Sequence, residues 1–272
     1  MAYRIEPGRR ARTSLRIRFP AGLLLALALP TAAGATLLYE EGVARNPDSG
    51  VVLYREQHWT RSEGERLVER LVLYRCPDGA AFGRKLVDYR QSAAAPAFRF
   101  DDVRSGYAEG LRDDHGPVVF FHPPGDAAEK SAPLSAKSLV VDAGFDEFVR
   151  QQWQPLLAGK AVPLQFALPA RLESIGFVVR KVGAANIAGE PAWVFRLRLD
   201  SVIGWLAPHI DVSYGQQSRR LLRFEGLSNV RDDNGTKQLT ARIDFPQPSR
   251  PAEDGEWRTV RNTRLQACPV GR

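Results

Sequence analysis

Hydrophobic and polar positions follow two periods along the chain, and together they predict one helix among many strands. The helical period lies between Asp142 and Gly159. Its apolar stripe consists of Phe145, Phe148, Val149, Trp153, Leu156 and Leu157. Asp142 is suited to cap the helix, and Gly159 is suited to end it, while Pro155 would bend it or end it early. We therefore expect one amphipathic helix over residues 142–158, packed on a sheet.

A period of two predicts strands over most of the remaining chain. It is clearest at Ala192–Asp200, where aromatic and aliphatic residues alternate with Arg196 and Arg198. The other predicted strands are 36–42, 51–58, 67–75, 83–90, 98–112, 118–122, 162–168, 174–182, 210–214, 220–230 and 238–245, with a last edge strand at 257–268. Residues 123–138 follow neither period and are interpreted as a loop. The turn Asp232–Gly235 is typical of a hairpin.

These elements define a mainly β (α+β) fold. We expect a curved antiparallel sheet, or half-barrel, of about ten strands, which is within the usual range for one sheet. The predicted helix would lie on its concave face. Strands and helices do not alternate as they would in a parallel α/β fold.

The N-terminus has the organisation of a secretory signal. Several arginines precede a short apolar core at 21–29, and Ala33-Gly34-Ala35 fits the small-residue cleavage rule. We expect cleavage after Ala35 and a periplasmic location; the apolar run is too short for a stable membrane anchor. The predicted organisation is a signal peptide (1–35), a half-barrel domain (36–245) and a proline-rich linker with a C-terminal edge segment (246–272).

The net charge of +7 belongs mostly to this signal. Without the six arginines and Glu6 of the first 20 residues, 32 basic and 30 acidic residues remain, a net charge of +2. A nucleic-acid-binding protein would need a concentrated basic face. No nucleic-acid partner is therefore expected.

A resemblance to a known family rests on the strand-turn-strand run Val212–Gly226, which is followed by Ile243-Asp244-Phe245. This pattern, over about residues 160–245, resembles the lipoprotein-carrier (Lol-type) superfamily of exported bacterial proteins. The resemblance implies a half-barrel whose concavity is plugged by helices, with acyl chains or lipidated proteins as ligands.

No familiar catalytic or metal-binding motif is present, and we assign no catalytic residue, metal or cofactor. The four histidines (His58, His115, His122 and His209) do not have the spacing of metal ligands on a helix. Glu56 and His58 would share one strand face, where they could serve acid–base chemistry. A solvated strand face is the interpretation that we favour.

The two cysteines, Cys76 and Cys268, both follow the predicted cleavage site. In an oxidising compartment two thiols favour one disulfide, with two unconnected buried cysteines as the alternative. The bond would hold the C-terminal segment beside the strand at 67–75.

The apolar segment Asp200–Pro208 contains Trp205 and Leu206 and lies between two strands. It is either a short helix that caps the core or the rim of an apolar cavity, because exposed apolar groups often mark binding sites. Five arginines on the outward phase of the strands could face anionic lipid: Arg180, Arg196, Arg198, Arg223 and Arg242. Acidic neighbours favour cross-strand pairing instead.

The main hypothesis is therefore a non-enzymatic periplasmic protein that binds an apolar or lipidated ligand between sheet and helix. The expected ligand surface comprises Phe145, Phe148, Val149, Trp153, Trp193, Phe195, Trp205 and Leu206. One alternative is an envelope assembly protein that binds a protein partner. The second alternative is a hydrolase that uses histidine and carboxylate groups.

Overall fold

The computed structural model describes residues 1–4, 8, 35–113, 115–125, 128–135, 137–201 and 208–270. The chain divides into two units, Met1–Ala32 and Ala33–Arg272, and the described secondary structure belongs to the second. The predicted signal peptide lies almost wholly outside the described residues, and so do Trp205 and Leu206. No described helix is both long and apolar enough to cross a membrane.

Within the described residues, one sheet contains 16 strands. The strands are β1 Ala35–Arg45, β2 Val52–Glu63, β3 Arg66–Arg75, β4 Ala81–Asp88, β5 Ala97–Asp102, β6 Tyr107–Asp113, β7 Pro117–His122, β8 Lys130–Pro133, β9 Leu139–Val140, β10 Val162–Leu168, β11 Glu173–Ile187, β12 Glu190–Leu199, β13 Ile210–Gly215, β14 Leu221–Arg231, β15 Gln238–Asp244 and β16 Arg250–Pro251. The helices are α1 Phe145–Gln151, α2 Trp153–Leu157 and α3 Asp254–Arg261, with short 3-10 helices at Asp142–Gly144 and Pro169–Arg171.

The sheet is a long meander that is open at both ends. Across the sheet the strands follow the order β8, β7, β6, β5, β4, β3, β2, β1, β15, β14, β13, β12, β11, β10 and β9. The two edge strands are therefore β8 and β9. The two halves of the chain join where β1 pairs with β15, Val43 opposite Asp244. All neighbours are antiparallel except β9 and β10, and β16 adds a short pairing to β1.

The predicted class, a mainly β fold with a mostly antiparallel sheet, is confirmed, but the predicted number of about ten strands is wrong. The predicted strand 98–112 is two strands, β5 and β6. The turn between them depends on Asp102, whose carboxylate accepts the Arg104 N–H at 3.0 Å, and on Gly106, which has a φ of 73°. Strands β8, β9 and β16 have only two to four residues, which is too short for a period of two to be visible.

The predicted helix at 142–158 has the correct position but is not continuous. A 3-10 turn precedes α1, and α1 and α2 are separated at Gln152. Pro155, in the first turn of α2, has no N–H to donate to the carbonyl of Gln151, so the helical hydrogen-bond ladder is interrupted there. Asp142 does not cap the helix through its side chain. Gly159 has a φ of 80° and follows the last turn, as expected for a glycine that ends a helix.

The C-terminal segment forms α3, so the predicted edge strand at 257–268 is wrong. Trp257 and Val260 are one turn apart and are buried on the outer face of the sheet. They pack against a cluster that includes Leu37, Trp59, Leu71 and Leu73. Strand β3 is consequently buried on both faces, because its alternate residues Val72 and Tyr74 face the interior.

Candidate functional site

Helices α1 and α2 pack on the inner face of strands β10–β14. Five of the predicted ligand residues are buried in this one cluster: Phe145, Phe148, Val149, Trp153 and Phe195. The ring centroid of Trp153 lies 5.4 Å from that of Phe195 and 6.2 Å from that of Tyr214. Trp193 packs at the cluster's edge, with the Lys181 ammonium 4.4 Å from its ring centroid. The helices and the sheet are therefore closely packed at this end.

An inner cavity of about 110 Å³ lies beside the start of α1. Strands β2–β4 line one side of it, the helical segment lines another, and strands β10 and β12–β15 line a third, so the sheet curves around it. Its main polar side chains are Glu56, His58, Arg70, Lys85, Asp142, Asp146, Ser228 and Asn229. Its main apolar side chains are Phe145, Phe166, Leu197, Ile210, Val212, Leu221, Phe224, Ile243 and Phe245. Among the described residues that the sequence assigned to the ligand surface, Phe145 is the one that lines it.

An outer cavity of about 360 Å³ adjoins the inner one. The two share the side chains of Asp142, Phe166, Leu197, Ile210, Phe224 and Asn229. Exposed residues at its mouth are Arg171, Pro208, His209, Leu227 and Gln238. The interior of the curved sheet thus continues from the buried polar groups of the inner cavity to solvent.

Glu56 and His58 form a hydrogen-bonded pair in the inner cavity. Oε2 of Glu56 lies 2.9 Å from Nε2 of His58, and the side chains are only 9% and 12% exposed. The His58 ring meets the ring of Phe245 nearly edge-on, at 5.5 Å between centroids. The favoured prediction, a solvated strand face, is wrong. Glu56 and His58 lie on the same inward face of β2 as buried Tyr54, because side chains alternate along a strand. Arg55 lies on the opposite face and pairs with Glu41 at 3.0 Å.

Lys85 connects the floor of the inner cavity to the helical segment. Its Nζ lies 2.5 Å from Oδ2 of Asp142, and the residue is 6% exposed. Burial by itself lowers the pKa of this ammonium, but Asp142, with smaller contributions from Tyr74 and Glu56, outweighs burial and raises the pKa. Lys85 is therefore a permanent cation, and it interacts with two carboxylates.

Asp146, in the first turn of α1, makes a second connection to the sheet. It accepts a hydrogen bond from the Tyr214 hydroxyl at 2.6 Å, and Arg70 lies 3.5 Å away. Burial alone would raise the pKa of Asp146, but the charges of Arg150 and Arg70 outweigh it and lower the pKa. Arg150 itself is hydrogen-bonded to Glu147 at 2.5 Å. These four ionised side chains balance one another in charge.

Glu109 is the buried acid of the outer cavity. It is 8% exposed, and its Oε2 accepts the Tyr107 hydroxyl at 2.6 Å. Burial raises the pKa of Glu109 even though this hydrogen bond acts in the opposite direction. The Arg231 guanidinium lies 4.5 Å from the Tyr107 ring centroid and completes this polar group.

The histidines are not gathered in one place. His58 lines the inner cavity and His209 lines the mouth of the outer one, 3.8 Å from Asp211. His115 has a φ of 60° in the turn after β6, and His122 ends β7. Two of the four thus face the connected interior, at opposite ends.

The predicted disulfide is confirmed: Cys76 and Cys268 are bonded, with Cα atoms 6.2 Å apart. It fixes the C-terminal segment beside the end of β3. Among the described residues, one group of three potential metal ligands was found, Cys76, Asp78 and Cys268, and its two sulfur atoms are taken by this bond. A disulfide is typical of proteins in oxidising compartments, including the bacterial envelope.

Two of the five outward arginines, Arg196 and Arg223, form the cross-strand pairs that the sequence favoured. Arg196 binds both carboxylate oxygens of Asp211 at 2.7 Å, and Arg223 binds Asp244 at 2.6 Å. Arg242, on the same strand as Asp244, lies 3.5 Å from its carboxylate. On this face the acidic residues neutralise part of the arginine charge.

The interior charges on β3, β4 and β6 (Arg70, Lys85 and Glu109) were not identified from the sequence as site residues. The alternation of residues along the strands could have identified them. Lys85 lies on the same strand face as buried Val87, and Arg70 lies on the same face as buried Val72. Charged residues in buried strand phases are rare unless they are paired.

No protein-family model matches the chain, and no curated protein matches it. The solved structures similar to it include a β-barrel-like protein of the domain of unknown function DUF1849 from Brucella abortus, with 8% identity over 80% of this chain and 98% of that one, at a TM-score of 0.38. MucB has 14% identity over 88% of this chain and 61% of its own, at a TM-score of 0.28. A DUF1329 family protein from Desulfovibrio piger ATCC 29098 has 11% identity over 84% of this chain and 90% of its own, at a TM-score of 0.27.

None of these descriptions names the lipoprotein-carrier superfamily, so that resemblance stays a prediction. At these TM-scores the likenesses assign no function.

Proposed function

We propose that this protein is an exported, non-enzymatic binding protein that holds an apolar or lipidated ligand in the connected interior of its sheet. The observation that carries this proposal is the outer cavity, whose volume of about 360 Å³ falls in the range of small-molecule sites. Its apolar walls include Phe166, Phe177, Leu197, Ile210 and Phe224. A few polar groups among apolar walls are typical of such sites.

One end of the interior is closely packed, whereas the other end contains the two cavities. This difference in packing supports a binding role. Protein cores are close-packed and contain few voids larger than a water molecule. The helix cluster around Trp153 and Phe195 follows this rule, because both side chains are at most 3% exposed. Phe166 and Phe224, by contrast, are only partly buried and line both cavities. An apolar ligand would bury these rings further and gain free energy from the area removed from water.

Export to the periplasm is part of the same proposal. The arginine-rich start, the apolar run at 21–29 and the sequence Ala33-Gly34-Ala35 support a signal peptide that is cleaved after Ala35. The Cys76–Cys268 bond supports an oxidising compartment. N-terminal sequencing of the mature protein should begin at Thr36, and an intact Met1 in a cytosolic fraction would contradict export.

Native mass spectrometry tests the binding role directly. Protein purified from the periplasm should carry a bound mass in the range of a lipid or acylated molecule, and solvent extraction should release it. Stripped protein should then bind an apolar fluorescent probe in a saturable way. Protein that carries no ligand and binds no such probe would overturn the proposal.

A hydrolase is the second candidate, and the buried pair of Glu56 and His58 is the observation that favours it. A carboxylate 2.9 Å from an imidazole is the arrangement of a general base and its orienting group. Ser228 also lines the inner cavity, but its hydroxyl donates to the carbonyl of Val230 at 3.3 Å. Hydrolysis of acyl esters by wild-type protein that is lost in His58→Ala would establish this candidate. The envelope-assembly hypothesis stays a prediction.

A further inference from the structure

The charged side chains around the inner cavity form two groups, and the ratio of carboxylates to cations differs between them. This difference bears on the kind of ligand that the cavity would favour. One group consists of Arg70, Arg150, Asp146 and Glu147, two cations and two anions that lie close together and cancel. In the other group Lys85 is the permanent cation, and it interacts with both Asp142 and Glu56. The second group therefore places two carboxylates around one ammonium, whereas the first group has one carboxylate for each cation.

The Glu56 carboxylate of this second group lies in a confined and largely apolar space. Glu56 is 7% exposed and has His58 as its hydrogen-bond partner. Burying two carboxylates that share a single ammonium is unfavourable, and a positively charged ligand group would relieve this cost. A negatively charged ligand group would increase it.

Aromatic rings supply a second attraction for a cation. Phe245 borders His58 on one side of the inner cavity. Phe145 and Phe166, at 6.3 Å between centroids, line another side. Ring faces attract ammonium groups, and quaternary ammonium ligands are commonly bound among several aromatic rings.

The cavity's dimensions limit the group that it can hold. About 110 Å³ is a few times the roughly 30 Å³ that one water molecule occupies in the liquid, which gives room for a compact group of a few non-hydrogen atoms. The adjoining outer cavity is about three times larger and mostly apolar. Asp142 lines both cavities and is 47% exposed, so a carboxylate stands at the junction.

We infer that the inner cavity is the head-group subsite for a cationic amphiphile. Its amine or quaternary ammonium head lies beside Glu56 and the aromatic rings, and its apolar tail occupies the outer cavity. This inference rests on the proposed binding function. It adds that ligands with a cationic head are preferred over ligands with an anionic head and the same tail.

Three probes with the same dodecyl chain test the inference: dodecyltrimethylammonium, dodecyldimethylamine oxide and dodecanoate. Their affinities for the full mature protein are measured by isothermal titration calorimetry at pH 7.5, below their micelle concentrations. The cation should bind roughly tenfold or more tightly than dodecanoate, as expected for a charge-assisted interaction, and the neutral oxide should be intermediate.

Glu56→Gln should remove this preference, since it keeps a hydrogen-bond acceptor for His58 but removes the charge. Glu41→Gln is the matched control, because Glu41 lies on neighbouring β1, is 34% exposed and faces outward to Arg55. Circular dichroism monitors folding; if Glu56→Gln does not fold, the wild-type affinity ratio decides.

The outcomes separate the two proposals. Equal binding of cation and anion, or tighter binding of dodecanoate, would overturn the cationic head-group subsite but leave the binding function standing. Binding of none of the three probes, together with protein that carries no ligand, would overturn both. A cation preference that survives Glu56→Gln in a folded variant would overturn the role of Glu56.

Discussion

The ammonium group of Lys85 on β4 lies 2.5 Å from the Asp142 carboxylate, so an ion pair joins the sheet to the first turn of the helical segment. The Lys85 side chain is 8% exposed, whereas that of Asp142 is 47% exposed. The pair holds the helical segment beside the inner cavity, and Asp146 reinforces it through the Tyr214 hydroxyl. The geometry of the cavity therefore depends on polar contacts as well as on apolar packing.

Asp142→Ala should destabilise the protein by about 2–3 kcal/mol, because it leaves a buried ammonium without its closest partner. This is below the 3–5 kcal/mol typical of fully buried pairs, since Asp142 is half-exposed and Glu56 remains. Urea denaturation measures the effect. The double variant with Lys85→Met should recover part of the loss. Arg55→Ala, which removes a partly exposed pair with Glu41, should cost less than about 1 kcal/mol; an equal cost would contradict a special role for Lys85 and Asp142.

Trp153→Ala and Phe166→Ala should separate packing from binding. Trp153 is 3% exposed, lines neither cavity and contacts Phe195 and Tyr214, so its truncation should cost roughly 3–5 kcal/mol. Phe166 is only partly buried and lines both cavities, so its truncation should cost less stability and weaken probe binding more. Thermal denaturation and fluorescent-probe titration of both variants test this. The opposite ranking in both assays would place the ligand against the helix cluster instead.

Removing the disulfide should lower stability substantially. The bond joins residues that are 192 positions apart, and the chain-entropy model gives an upper estimate of about 5 kcal/mol for so long a loop. The double variant Cys76→Ser/Cys268→Ser should therefore lose roughly 2–5 kcal/mol in chemical denaturation. The same loss should occur when wild-type protein is reduced. A change below about 1 kcal/mol would show that the packing of α3 alone holds the C-terminal segment.

Glu109→Gln should change the pH dependence of stability. Burial raises the pKa of Glu109, so above the unfolded value of about 4.3 the folded state binds more protons than the unfolded state. The contribution of this group to stability is fully present below that pH and is lost as the pH rises through the folded pKa.

The glutamine variant keeps an acceptor for the Tyr107 hydroxyl and carries no charge. It should be more stable than wild type at pH 7 and closer to it at pH 4, as measured by denaturant midpoints. Glu41→Gln serves as the surface control. A variant that is less stable than wild type at pH 7 would show that the Glu109 carboxylate is compensated in the fold.

The meander and the disulfide could be predicted from the sequence for simple physical reasons. Alternation such as that around Arg196 and Arg198 identifies strands with one buried face, and Asp232–Gly235 identifies a tight turn. The structure confirms the turn, with Gly235 at a φ of 69° and the Asp232 carboxylate accepting the Thr236 N–H at 2.7 Å. Two cysteines in one chain leave one intramolecular pairing.

The site was harder to predict because alternation shows that residues share a face without showing what that face meets. Glu56 and His58 share a face, and only the curvature of the sheet turns it inward to meet α1. Trp153 and Phe166 are both aromatic residues in apolar patterns, yet one is close-packed and the other lines a cavity. That difference depends on distances between strands remote in sequence, which no local pattern contains.

The most direct test of an interior ligand site is photo-crosslinking with a dodecyl amphiphile that carries a diazirine at the end of its tail. After irradiation and digestion, mass spectrometry should locate the label on peptides from β10, β11 and β14, which carry Phe166, Phe177 and Phe224 in the wall of the outer cavity. Excess unlabelled amphiphile should suppress this labelling. Label concentrated on α3 and the outer face of the sheet, or labelling that no competitor reduces, would contradict the account.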